Sequence, residues 1–374
     1  MAVRIGVNAL YLLPGGVGGT EIYLRSLLSA LAEIDCENTY VVFTNRETGE
    51  DLTPAAPNFQ WAPTPVRARF RPARILWEQS ALPCSAFRRR IDVLFNPGFT
   101  CPVVAPCKQV TVFHDLQHKR HPEYFRWFDL PFWRLFLYLA AVRSDLLIAV
   151  SEATRQDLLH YYRLKAGKVR VVAHGADPRM FEIGQARAQR ECDRYILCVS
   201  TLHAHKNITR LLAAFRRFHS AHPGFRLVLA GMKGFHTAEV ERAAGELGLG
   251  DAVRITGWVD RGELYRLFEG AWAFVYPSSF EGFGMPVIEA LAAGIPTACS
   301  AIEPLRTISG SAALHFDPLD EDAILQALVR VTQDEHLRER LARAGPQQAS
   351  RFRWQDAARA TLDVLREAAG STAK

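Results

Sequence analysis

The 374-residue sequence predicts an α/β protein made of two doubly wound domains. Three observations support this. The chain is too long for one ordinary hydrophobic core. Short apolar runs alternate with longer amphipathic ones, as where helices cover a parallel sheet. The alternation also fades once near the middle and then resumes.

The first series of strand patterns falls at residues 4–9, 40–44, 59–62, 93–96, 109–113, 146–150 and 169–173. Helical patterns at 21–32 and 152–161 lie between them. From Gly175 to Asp193 no strand pattern appears and charges accumulate, which reads as an interdomain linker. The second series is 195–200, 226–230, 253–256, 273–276, 296–299 and 313–316, with helices at 208–219, 238–247, 262–269, 287–293, 321–333 and 335–344. A last helix, 354–369, follows both sheets. The expected organisation is an N-terminal domain at 1–180, a C-terminal domain at 181–353, and a terminal segment at 354–374 that crosses back to the first domain. In doubly wound sheets, ligands sit in crevices beyond the strands' carboxyl ends, and two facing crevices would form one interdomain cleft.

Composition narrows the class. At 49% hydrophobic and 22% charged residues the chain is a packed globular protein. The net charge of +6 suits anionic partners: nucleic acid, an anionic membrane surface or phosphorylated small molecules. The charge is uneven. Arg67, Arg69, Arg71, Arg74, Arg88, Arg89 and Arg90 are opposed only by Glu78. They read as a solvated loop and helix face or as a surface meeting anionic lipid or an acceptor phosphate. No nucleic-acid-binding motif accompanies them, and Pro72 and Pro83 suggest an irregular surface, so nucleic acid is not an expected partner. Seven cysteines without metal-ligand spacing point to buried thiols in a reducing compartment. The N-terminus is already a strand pattern, and no run of about 18 apolar residues exists to span a bilayer. The expected location is the cytoplasm, with peripheral contact at the cytoplasmic face of the inner membrane. The aromatic stretch 124–138, interrupted by Arg126, Asp129, Pro131 and Arg134, reads as a buried helix or as one lying on a membrane.

Four motifs stand at predicted strand ends. The first, Gly15-Gly16-Val17-Gly18-Gly19-Thr20-Glu21, opens a helix, where backbone amides suit a phosphate. It lacks the G-x-G-x-x-G spacing of dinucleotide enzymes and the lysine of a P-loop. The second, His114-Asp115, follows an apolar strand directly; nearby His118 and His121 do not complete a zinc site. In the third, Thr201 to Asn207, Lys206 stands before a helix, where it can neutralise a diphosphate, and His203 and His205 read as solvated or phosphate-adjacent. The fourth is the most specific. Glu281-Gly282-Phe283-Gly284-Met285-Pro286 runs into a helix carrying Glu289. Proline suits a helix's first position, and the helix start is an anion site. The two carboxylates can accept hydrogen bonds from sugar hydroxyls.

These residues resemble the retaining glycosyltransferases of family 4, whose GT-B architecture is two facing Rossmann-like domains. The resemblance spans nearly the whole chain and is sharpest at 255–317, through Thr256-Gly257-Trp258-Val259, the Glu281/Glu289 pair, 292–296 and 315–318. Within the family the chain looks most like bacterial mannosyl- or rhamnosyltransferases of surface polysaccharide and lipopolysaccharide assembly.

The resemblance implies a role for each matching residue. Glu281 would hold the donor sugar hydroxyls and Glu289 the nucleotide ribose. Backbone groups of Phe283, Gly284 and Met285 would meet the sugar and diphosphate. Lys206 would neutralise the leaving diphosphate, Val259 would line the base pocket, and Gly18 and Gly19 would approach the diphosphate from the first domain. His114 would lie beside the reacting sugar, with Asp115 on the acceptor side. No cofactor or metal is implied; the nucleotide sugar is a substrate. GDP-mannose is the first expectation for the donor, ahead of UDP- and dTDP-sugars. A glycan or polyprenyl-diphosphate-linked oligosaccharide is expected as acceptor. One departure stands out: where the family has an arginine five residues before the lysine, this chain has Thr201. That leaves a non-catalytic subunit that keeps the fold and binds a partner or glycan as an alternative, and a nucleotide-sugar epimerase is a further one.

Overall fold

The computed structural model describes residues 2–16, 18–187 and 192–370. The strands are β1 (Arg4–Ala9), β2 (Thr39–Thr44), β3 (Phe59–Pro63), β4 (Val93–Asn96), β5 (Lys108–Phe113), β6 (Leu146–Ala149), β7 (Val169–Val171), β8 (Asp193–Val199), β9 (Arg226–Ala230), β10 (Val253–Gly257), β11 (Ala271–Tyr276), β12 (Thr297–Ser300) and β13 (Leu314–Phe316). The helices are α1 (Gly19–Ile34), α2 (Arg71–Arg88), α3 (Gln117–Arg120), α4 (Leu130–Arg143), α5 (Glu152–Tyr162), α6 (Pro178–Arg187), α7 (Ile208–Ala221), α8 (Thr237–Glu246), α9 (Arg261–Gly270), α10 (Met285–Ala292), α11 (Leu305–Ser309), α12 (Glu321–Gln333), α13 (Glu335–Ala349) and α14 (Trp354–Ala368).

The chain divides into two compact units, one of residues 1–175 with 353–374 and one of residues 176–352. The first contains a seven-stranded sheet in the order β3-β2-β1-β4-β5-β6-β7, the second a six-stranded sheet in the order β10-β9-β8-β11-β12-β13. Every strand pair is parallel. The order reverses between β1 and β4 in one sheet and between β8 and β11 in the other, which makes both doubly wound.

Buried apolar runs explain the strands. Val93, Leu94 and Phe95 of β4, and Leu147, Ile148 and Ala149 of β6, are fully enclosed, as expected for sheets covered on both faces. Amphipathic helices cover them, with several starts capped by side chains. Ser151 Oγ accepts from the Thr154 amide at 3.1 Å, and Asp260 Oδ1 accepts from the Glu263 amide at 2.8 Å.

Helix α14 belongs to the first unit. Trp354, Ala358, Leu362 and Leu365 are buried, and α14 packs on α1. Burying each leucine stabilises by about 1.5–3 kcal/mol. Gly175 permits this packing, because a Cβ there would come within 2.3 Å of the Trp354 amide nitrogen.

The structure departs from the sequence reading at four places. The stretch read as a linker contains α6, which opens on Pro178 and buries Met180, Ile183 and Arg187; residues 188–191 lie outside the described residues. The unit boundaries fall at 175/176 and 352/353. The arginine-rich segment is not irregular but holds the 18-residue α2. Pro72 sits in its first turn, where the missing N–H costs nothing, and Pro83 lies within the helix. Finally, all seven cysteines are free thiols, but only Cys101, Cys198 and Cys299 are buried. No helix of the described residues is long and apolar enough to cross a membrane.

Candidate active site

Although β9 and β10 separate them in sequence, β8 and β11 are neighbours in the second sheet. The loops leaving them, 200–207 and 277–284, therefore run side by side. The His205 carbonyl ties them together, accepting from the Ser279 amide at 2.8 Å and from the Ser278 and Ser279 hydroxyls at 3.1 Å each. Asn207, at φ 58°, adds a second tie by donating from Nδ2 to the carbonyls of Pro277 (3.2 Å) and Pro318 (2.6 Å).

This brace brings together two residues singled out separately from the sequence. Lys206 Nζ donates to Glu281 Oε1 at 2.6 Å and to the Tyr276 hydroxyl at 3.1 Å. Both side chains of the ion pair are nearly buried, at 13% and 10% exposure. Burial and the Glu281 charge hold the Tyr276 hydroxyl well above its ordinary pKa, so it stays protonated. Glu281 leads into Gly284, which caps α10 at φ 107°. A Cβ there would lie 2.4 Å from Leu305 Cδ2, so both conformation and space require glycine. Phe283 and Met285 flank this cap, and α10 begins at Met285 with Pro286 in its first turn.

Further along α10, Glu289 is buried. Its carboxylate stands 3.8 Å from Arg261, which pairs with Asp177. Asp177 also accepts from the Tyr265 hydroxyl at 2.7 Å. Burial pushes the Glu289 pKa up to about 7, Arg261 pulls it down, and Asp177 adds to the rise. Val259 is half-buried in the link from β10 to α9, two residues before Arg261.

Thr201 is half-buried, and its carbonyl accepts from the His203 amide at 2.8 Å. Arg210, in the first turn of α7, does not stand in for the missing arginine; it donates to Asn207 Oδ1 at 2.9 Å and to the Pro318 carbonyl at 3.3 Å. The solvated reading of the two histidines fails for His205, which is buried with its ring 5.8 Å from that of His203. Burial, Lys206 and His236 lower the pKa of His203.

In the first unit, Gly18 caps α1 and Gly19 begins it, where helix amides lack intrahelical partners. Val17 lies outside the described residues. The Gly15 amide is already engaged, donating to Glu21 Oε2 at 2.8 Å, and Glu21 pairs with Arg25 at 2.9 Å. Those groups therefore brace the loop rather than offer it to an anion.

His114 follows β5 and is buried. Its Nε2 lies 2.9 Å from the Pro97 carbonyl, which can only accept, so Nε2 carries a proton. Burial lowers the ring pKa to about 4. The ring is thus neutral near pH 7, and Nδ1 can accept a hydrogen bond. Tyr23 packs edge-on at 4.9 Å and Phe99 at 5.1 Å. Asp115 turns back to accept from the Gln117 amide at 2.9 Å. Nearby His118 is held by Tyr162 at 2.7 Å. Among the described residues no group of three or more His, Cys, Asp or Glu is placed to hold a metal ion.

Sequence reasoning gave no role to Tyr276 or Asn207, though both lie in its motifs, and did not single out Arg261, Asp177 or Tyr265. Arg261 lay two residues past Val259, within reach of the motif. Asp177 had no signal, because its partners are 84 and 88 residues away.

The chain is similar to known proteins along both halves. Residues 17–179 match the model "Glycosyltransferase Family 4" and residues 181–348 match "Glycosyl transferases group 1". The chain is 28% identical to O-antigen chain mannosyltransferase B of Escherichia coli, across 75% of this chain and 76% of that protein. It is 31% identical to a glycogen synthase of Mycobacterium tuberculosis, across 59% of this chain and 54% of that protein. Sucrose-phosphate synthase from Thermosynechococcus elongatus superposes with a TM-score of 0.78 at 20% identity, over 99% of this chain and 100% of that one. Matched in order along both halves, the chain belongs to glycosyltransferase family 4 and has the GT-B architecture.

Proposed function

We propose that this protein is a retaining, metal-independent hexosyltransferase. It moves mannose from GDP-mannose to a glycan or polyprenyl-diphosphate-linked oligosaccharide in bacterial surface polysaccharide or lipopolysaccharide synthesis, working at an anionic membrane. The observation that carries the reading is the Lys206–Glu281 pair, set beside the α10 start at the switch point of the second sheet. The choice of mannose is supported by the name of the Escherichia coli relative.

In this mechanism the acceptor hydroxyl attacks the sugar's anomeric carbon on the face that the nucleoside diphosphate leaves. The bond from that carbon to the phosphate oxygen breaks, the bond to the acceptor oxygen forms, and the departing phosphate takes the acceptor's proton. Lys206 turns from Glu281 to the diphosphate and, with the α10 amides, stabilises its growing charge. Glu281, released, accepts from donor sugar hydroxyls, and Glu289 accepts from the ribose. Val259 lines the base pocket, and Gly18 and Gly19 approach the diphosphate. Neutral His114 accepts from a sugar hydroxyl through Nδ1. This division of labour needs no metal, because the lysine and the helix start supply the positive charge.

The test is thermal stability in EDTA with excess GDP, UDP, dTDP or ADP. GDP should stand out, with a gain of about 2.7 kcal/mol at 100 times its Kd. A larger shift with another nucleotide would replace GDP as the donor's carrier, and no shift with any would refute donor binding.

The role of Glu289 gives a pH dependence. A carboxylate accepts two hydroxyls, whereas its protonated form must spend one oxygen as a donor. With the pKa raised to about 7, nucleotide affinity should fall about tenfold per pH unit below 7 and level off above it. Titration calorimetry between pH 5.5 and 8.5 measures this. Glu289→Gln should remove the slope; a slope that persists in that variant belongs to another group.

A further inference from the structure

Helix α4 is apolar on two faces. Leu137, Ala140 and Ala141 are buried in the first unit, while Phe132, Leu135 and Tyr138 face solvent. Just before it, Trp127 is 83% exposed and Phe128 55%. A helix apolar all round normally meets apolar surroundings on both sides. Exposed contiguous patches of this kind mark contact surfaces.

Cations surround the patch. The Arg71 guanidinium lies 4.9 Å from the Trp133 ring and so ties the basic start of α2 to α4. Arg67, Arg69 and the exposed Phe70 precede it in the chain. Arg126 lies 5.9 Å from the Phe128 ring, and Arg134 is exposed on α4. Between residues 61 and 77 there is no acid, and between 122 and 144 there are only Glu123 and Asp129. Glu123 is paired with His121 at 3.0 Å. Two copies of this face would set arginines against arginines, which disfavours self-association through it.

We propose that this face docks on an anionic lipid surface. Trp127, Phe128, Phe132 and Leu135 enter the boundary between headgroups and acyl chains, and Arg69, Arg71, Arg126 and Arg134 meet lipid phosphates. Aromatic side chains with a basic rim suit that boundary. The docking deepens the proposed lipid-linked acceptor and rests on it for its purpose, but lipid binding is measured apart from sugar transfer.

The experiment is co-sedimentation of the full chain with vesicles of phosphatidylcholine alone, or with about one third phosphatidylglycerol. Binding is expected to the anionic vesicles only, and to weaken at high salt. Trp127→Ser/Phe128→Ser/Leu135→Ser should reduce the partition coefficient at least tenfold. Arg69→Glu/Arg126→Glu should reduce it by about fivefold or more for each residue. All these side chains are exposed, and an unchanged melting temperature confirms that each variant is folded. Absence of binding to anionic vesicles overturns the proposal, as does unaltered binding by the folded variants. So does a dimer by sedimentation velocity that the triple variant abolishes, since a second copy would then be the occupant. Lipid binding without transfer to a lipid-linked acceptor refutes the acceptor reading alone; transfer without lipid binding refutes the surface alone.

Discussion

Lys206→Ala is expected to lower kcat by about 10²–10³-fold or more, the usual cost of losing one preorganised contact to charge that grows in a transition state. The expectation rests on position. Lys206 leaves a loop braced by the His205 carbonyl and by Asn207, so its ammonium group is held near the α10 start and not free on the surface. A steady-state assay with donor and acceptor, normalised to the folded fraction, measures the effect. Turnover near wild type would remove Lys206 from the mechanism. KM for the donor should move less than kcat, because in the proposed mechanism the charge that Lys206 meets is greatest as the diphosphate departs.

Glu281→Ala is expected to cost a similar factor, through loss of its proposed contact with the donor sugar. Because Glu281 and Lys206 touch at 2.6 Å, their effects should not multiply. The double variant should fall well short of the product of the two single losses. Stability offers an independent readout. Removing Lys206 leaves a carboxylate at 10% exposure without its cation, while removing both charges leaves neither unpaired. The double variant should therefore melt above Lys206→Ala. Strictly multiplicative rates, together with a lower melting point for the double variant, would show that the pair is not a functional unit.

Much of this was legible in the sequence, for physical reasons. Parallel strands covered on both faces are continuous apolar runs, and residues 93–96 and 273–276 read as such without tertiary knowledge. Polar residues that interrupt those runs at the carboxyl ends, such as His114 and Lys206, marked the crevices. What escaped depended on distance or compensation. Helix α2 was obscured by Pro72 and Pro83 and by a high content of arginine. Helix α6 was obscured because its buried side includes Arg187, whose guanidinium donates to the carbonyls of Phe268 and Glu269 at 2.9 and 2.6 Å. The set of Asp177, Arg261 and Tyr265 joins residues far apart in the chain, and nothing local to Asp177 marks it. The Gly15 loop looked open in sequence because the turn that brings Glu21 back to its amide exists only in three dimensions.

The return of α14 to the first unit also governs how the chain matures on the ribosome. Residues 176–352 form a continuous segment and can complete their core as they emerge. The earlier-made half cannot: α1 has its partner helix only after Trp354 to Ala368 have been synthesised. Tyr23 on α1, buried in the finished protein with its ring 6.0 Å from that of Trp354, lacks that neighbour until α14 has been made. The N-terminal half is therefore a part that a nascent-chain chaperone would hold until α14 is made and packs on α1.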